Sequence, residues 1–89
     1  MGEATFSINV GMERTDPELL KAFATVLRRR RKAAGLSQEE FAFRCDLSMS
    51  YISLLETQRR QPTLTALRAI GIELELTMAE LLAEVEAEL

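Results

Sequence analysis

The 89-residue chain contains no histidine, no tryptophan and a single cysteine, Cys45. One thiol closes no internal disulfide, and without histidine or a second cysteine the usual transition-metal sites have no ligands. No metal and no cofactor is expected. The same scarcity removes most routes to catalysis: there is no histidine base, no cysteine–histidine pair, no glycine-rich phosphate loop, and no apolar setting that would tune a carboxylate. The chain is not expected to be an enzyme. No apolar run reaches membrane-spanning length, and the N-terminus lacks the basic-then-apolar signature of a signal peptide. With the lone thiol, this fits a protein of the reducing cytoplasm with no membrane partner.

What is present bounds the size and the charge. Eighty-nine residues make one small domain with a modest core, a size at which dimerisation often helps. The hydrophobic fraction, 47%, is ordinary for a folded domain. Net charge is −3, which by itself argues against a polyanionic partner, yet the charge is polarised along the chain. Residues 19–70 carry a net +6, residues 71–89 a net −6 and residues 1–18 a net −3. Phosphates respond to the local field, so the basic middle outweighs the total, while the acidic tail is expected to face away from nucleic acid.

The middle of the chain also holds the most informative pattern. Ser37 with Glu40 three residues on is a capping box, and Phe41, Ala42 and Cys45 follow on one face at helical spacing. Asp46 interrupts this run, and Ser48 offers a second N-cap. In the next run Ile52, Leu55 and Glu56 share one side, and Met49, Ser50, Ser53 and Leu54 the other. Two short helices joined by a tight turn form a helix-turn-helix, spanning residues 37–57. The second helix of such a unit can lie in a DNA major groove.

Around the motif, residues 1–14 read as an arm and residues 15–89 as the domain. Phe6, Ile8, Val10 and Met12 alternate with other residues at a strand's period of two. A lone strand is unstable, so the arm is either disordered or pairs with something, most simply its counterpart across a dimer. Thr15 or Asp16 caps a first helix, with Pro17 in its first turn, that runs to about Ala34 and stops at Gly35. Thr63 caps a fourth helix bearing Leu64, Leu67 and Ile70, which ends or bends at Gly71. A fifth, over residues 77–89, carries Leu81, Leu82, Val85 and Leu89 along one side. The expected fold is all-α with five helices, and this last stripe, together with Phe6, Ile8 and Val10, is the expected dimer interface.

The composite Leu36-Ser37-Gln38-Glu39-Glu40-Phe41-Ala42, then Leu47-Ser48, then Ile52-Ser53-Leu54-Leu55-Glu56 and a basic loop to Pro62, resembles the lambda-repressor/Cro-like (XRE-type) helix-turn-helix family. The likeness covers about two-thirds of the chain, residues 23–82 at its widest. The family usually has glycine where Asp46 and Gln58 stand. Asp tolerates a left-handed backbone better than most residues, whereas Gln58 points to a modified helix end. The resemblance implies a phosphate contact from Gln38 and a buried ion pair between Arg31 and Glu56 that supports it. The carboxylate beside Ile52 and Leu55 would be costly without such a partner.

Candidate contacts follow from this placement. Met49, Ser50, Ser53 and Leu54 face base edges; Ser50 and Ser53 discriminate weakly, while Met49 and Leu54 suit thymine methyl groups. Gln38, Arg31, Ser48, Tyr51 and the loop Arg59, Arg60 and Gln61 are the expected phosphate contacts. Ser48 is also explained by capping alone, and Tyr51 by packing on the first helix. Arg44 either reaches phosphate or pairs with Glu40. Cys45 fills a small core slot, and the glutamates of the last helix form its solvent face. The function expected is a DNA-binding transcriptional regulator, a homodimer on a palindromic operator, repressing by occlusion. An antitoxin that binds a toxin and its own operon, and a restriction–modification controller, are the alternatives.

Overall fold

The structure is a computed structural model and describes residues 14–89. The expected strand residues Phe6, Ile8 and Val10 lie outside the described residues. Five helices follow one another: α1 (Pro17–Ala33), α2 (Gln38–Cys45), α3 (Met49–Glu56), α4 (Leu64–Glu73) and α5 (Met78–Ala87). Among the described residues there is no strand.

Each helix starts where a side chain satisfies its first free amides. Asp16, rather than Thr15, caps α1 by accepting from the Leu19 N–H, with Pro17 directly behind it. Ser37 and Glu40 make the reciprocal box at α2: Ser37 Oγ accepts from the Glu40 N–H at 3.0 Å, and Glu40 Oε1 from the Ser37 N–H at 2.9 Å. Ser48 and Thr63 cap α3 and α4 through the amides of Tyr51 and Ala66. Thr77 and Glu80 make a second reciprocal box at α5, so Glu80 is a capping residue and not only solvent face.

The first four helices end alike. A residue in the left-handed region lets the chain fold back, so that the next N–H reaches a carbonyl five residues earlier. The left-handed residues are Gly35 (φ 75°), Asp46 (φ 60°), Gln58 (φ 64°) and Glu75 (φ 61°). The reaching bonds are Leu36 N–H to Arg31 O, Leu47 to Ala42, Arg59 to Leu54 and Leu76 to Gly71, at 2.8–3.2 Å. Gln58 therefore does not modify the end of α3; it takes the backbone geometry that glycine would take. Gly71 does not end α4, which continues to Glu73. Its lack of a side chain serves the turn that follows, because a Cβ there would sit 2.8 Å from the Leu76 carbonyl oxygen.

Packing centres on α1, whose buried face (Ala22, Phe23, Val26, Leu27) meets α3 on one side and α5 on the other. The turn holds α2 against α3, and α4 bridges α2 to α5. Phe41, Ile52, Leu55 and Ile70 are wholly or almost wholly buried between them. Cys45 lies in the same core, and burial pushes its thiol up to about 11, so it is neutral at physiological pH.

The core includes two residues expected at a dimer interface. Leu81 is 0% and Val85 1% exposed, because the inner face of α5 lies on α1 and α4. They complete the core of the single chain and give no surface to a second copy. Of the expected stripe, Leu82 (39%) and Leu89 (67%) remain exposed. Helical periodicity had located an apolar face and could not tell which molecule covers it.

Candidate nucleic-acid interface

The motif is held together by one buried carboxylate. Glu56, the last residue of α3, has a fully buried side chain. Arg31 of α1 grips it with both prongs, Nε donating to Oε2 at 2.7 Å and Nη2 to Oε1 at 2.9 Å. Gln38, the first residue of α2, donates from Nε2 to the same Oε1 at 2.9 Å. Arg28, one turn before Arg31, adds its charge at 3.5 Å. The third arm of Arg31, Nη1, donates to the Leu36 carbonyl at 2.8 Å and so also fixes the link between α1 and α2. Three helices thus meet at one ion.

The electrostatics are consistent with that geometry. Burial alone would raise the Glu56 carboxyl, but the hydrogen bonds from Arg31 and Gln38 and the charges of Arg31 and Arg28 outweigh it, and the net shift is downward. The hydrogen bonds that Arg31 donates to Glu56 likewise hold its guanidinium firmly protonated. The expected Arg31–Glu56 pair is therefore present. The expectation that Arg31 also clamps phosphate is corrected: Nε, Nη1 and Nη2 all have internal acceptors, and the side chain is only 9% exposed. Arg28 was missed, although its spacing of three from Arg31 puts both on one helix face.

The remaining basic run divides by direction. Arg30 turns to α5, where Nε donates to Glu84 Oε1 at 2.9 Å and Nη2 pairs with the other oxygen. This bond lowers the Glu84 carboxyl. Arg29 pairs with Glu88 at 2.8 Å. The acidic C-terminal helix accordingly neutralises two arginines of α1, and only part of its charge faces solvent alone. Arg44 approaches Glu73 of α4 at 3.7 Å rather than Glu40, and its side chain stays half-exposed. Among the described residues, Arg59 and Arg60 have no carboxylate partner, and both are exposed.

The expected base-reading residues fall together on α3, away from Ile52, Leu55 and Glu56. Met49 is 50% exposed, Ser50 is exposed, and Ser53 and Leu54 are half-buried. None bears charge or an amide. Around this face lie Gln38 and Ser48 at the starts of α2 and α3, and Arg59, Arg60 and Gln61 beyond its end. Ser48 Oγ accepts from the Tyr51 amide, leaving its own proton free. Tyr51 is half-buried on the core, and its hydroxyl accepts from the Thr63 N–H at 3.2 Å, tying α3 to the cap of α4. Its packing role is thus observed, and its hydroxyl proton is still available to an acceptor.

Comparison with known proteins agrees with this arrangement. The helix-turn-helix family model matches residues 27–81. The control protein C.MunI of Mycoplasma sp is 37% identical over 59 residues, covering 66% of this chain and 80% of that protein. The crystal structure of the restriction-modification controller protein C.AhdI from Aeromonas hydrophila is 35% identical with a TM-score of 0.66, covering 70% of this chain and 94% of that one. The clp gene regulator ClgR from Corynebacterium glutamicum is 26% identical with a TM-score of 0.72, covering 85% of this chain and 97% of that one. The family-model match over residues 27–81, more than half of the chain, places this protein, with its two capped helices joined by a left-handed turn, in the XRE-type helix-turn-helix family of DNA-binding transcriptional regulators.

Proposed function

We propose that the chain acts as a homodimer on a roughly palindromic operator, with α3 of each copy in successive major grooves about 34 Å apart. Met49, Ser50, Ser53 and Leu54 face the bases. Gln38, Ser48, Tyr51, Arg59, Arg60 and Gln61 contact the backbone, where amides at two helix N-termini and the loop guanidiniums favour phosphate. The observation that carries the reading is the Glu56 hub, because it locks the first turn of α2 to the end of α3. Phosphate contacts on one helix then set the position of the other. Leu82 and Leu89, left uncovered on α5, with Leu19 at 36% exposure, supply the apolar contact for a second copy. Bound across a promoter, such a dimer represses by occlusion.

The test is the salt dependence of DNA binding. If Arg59 and Arg60 each neutralise a phosphate, changing both to alanine lowers the slope of log K against log salt by about 0.9 per phosphate. That is roughly two units per protomer, and affinity falls alike on all sequences. An unchanged slope removes the loop from the interface. Control of restriction–modification genes is a second reading, favoured by the 35–37% identity to C.AhdI and C.MunI. Genes for a nuclease and a methyltransferase beside this gene, with a binding site upstream of its own start, would bear that out, and their absence would set it aside.

A further inference from the structure

We infer that α3 tells operators apart through the C5-methyl groups of pyrimidines, with Met49 and Leu54 as the residues that touch them. The inference rests on the DNA-binding reading above and deepens it. Hydrogen-bonded readout of the major groove depends on paired donors and acceptors: arginine or lysine on guanine, asparagine or glutamine on adenine, a carboxylate on cytosine. The exposed face of α3 has none of these, and neither its first nor its last turn holds a charged side chain apart from the buried Glu56. Its hydroxyls donate or accept with little discrimination, and Thr57 Oγ1 beside it already donates to the Ser53 carbonyl at 2.7 Å.

What distinguishes this face is apolar. Met49 is the first residue of α3, directly after its cap, which is the end of a recognition helix that reaches base edges. Half of its surface is exposed, although methionine ordinarily belongs inside. Its unbranched thioether adapts to a small irregular target. Leu54, five residues on and about 140° round the helix, is half-buried at the opposite edge of the exposed face, so the two apolar side chains flank Ser50 and Ser53 and would meet methyl groups on different base pairs. The apolar group that a base pair presents in the major groove is the thymine methyl. A methyl on C5 of cytosine occupies the same place, so the geometry makes affinity follow the methyl group rather than the base pair.

The experiment uses the full chain and a site selected from a random DNA pool. At each pyrimidine of a half-site, thymine is compared with uracil, and cytosine with 5-methylcytosine, so that only a methyl changes. At one or more positions both methylated forms should bind about fourfold more tightly, the equivalent of the ~0.8 kcal/mol of one buried methyl-sized group. In Met49→Ala, an exposed change that leaves the core intact, the preference at its position should shrink toward one. Tight binding to a selected site that is indifferent to every methyl would overturn this inference and leave the DNA-binding reading standing. Selection of no site at all would overturn both, and would make the Met49 face a protein-binding surface.

Discussion

Removing the Glu56 carboxylate should be among the most damaging single changes to this domain. Arg31 is buried and would lose two charge-assisted bonds, Gln38 would lose its acceptor, and Arg28 its nearby anion. Breaking a buried pair from one side costs about 3–5 kcal/mol, because the stranded charge keeps its desolvation penalty. In a domain of this size each kcal/mol moves Tm by about 4–8 °C, so Glu56→Ala should lower it by roughly 12–40 °C. Arg31→Ala should cost a comparable amount. Replacing both by methionine should cost much less than the two single changes combined, since no charge is left unpaired. The pH dependence follows from the lowered carboxyl. Its pKa is lower folded than unfolded, so the pair's contribution is complete above the unfolded value near 4.5 and is lost as pH falls through the folded value. Glu56→Gln should flatten that acid limb. Thermal melts followed by far-ultraviolet circular dichroism measure all of this. Single variants that each lose less than about 1 kcal/mol would mean the pair behaves as a surface pair and would refute the argument.

Three further outcomes follow. Asp46→Gly and Gln58→Gly should each raise stability by up to about 1 kcal/mol in denaturant titrations, because left-handed backbone costs a non-glycine residue roughly 1–2 kcal/mol, part of which glycine's greater unfolded-state entropy returns. Gly71→Ala should lower stability by about 1–3 kcal/mol even though alanine favours helix, because its Cβ collides with the Leu76 carbonyl. A stabilised variant would show that the turn shifts freely. Leu82→Asp should move the chain toward monomer in sedimentation at micromolar concentration while the monomer keeps its helical circular dichroism, since this side chain is 39% exposed whereas its neighbour Leu81 is buried. An unaltered sedimentation profile would place the dimer contact elsewhere.

Local chemistry explains what was legible in the sequence. The caps Asp16, Ser37, Ser48, Thr63 and Thr77 act within three residues, so the starts of all five helices could be read from neighbouring letters. Contacts between distant segments could not. Arg31 and Glu56 are 25 residues apart, and only the family resemblance joined them. Five consecutive basic residues, Arg28 to Lys32, span more than a full turn and cannot share one face, but nothing local assigned Arg29 and Arg30 to Glu88 and Glu84, 59 and 54 residues on. Leu81 and Val85 show the same limit from the apolar side. Glycine commonly ends or bends a helix, which is the expectation at Gly71, whereas here its small size admits a carbonyl from the following turn.

The central claim is that two copies of α3 read one two-fold site, and selection from a random DNA pool tests it most directly. The account predicts enrichment of a roughly palindromic sequence whose half-site centres lie about 10 base pairs apart, one turn of the double helix. Enrichment of a single unrepeated half-site would contradict the dimeric arrangement, and a pool that remains random would contradict sequence reading by α3 altogether.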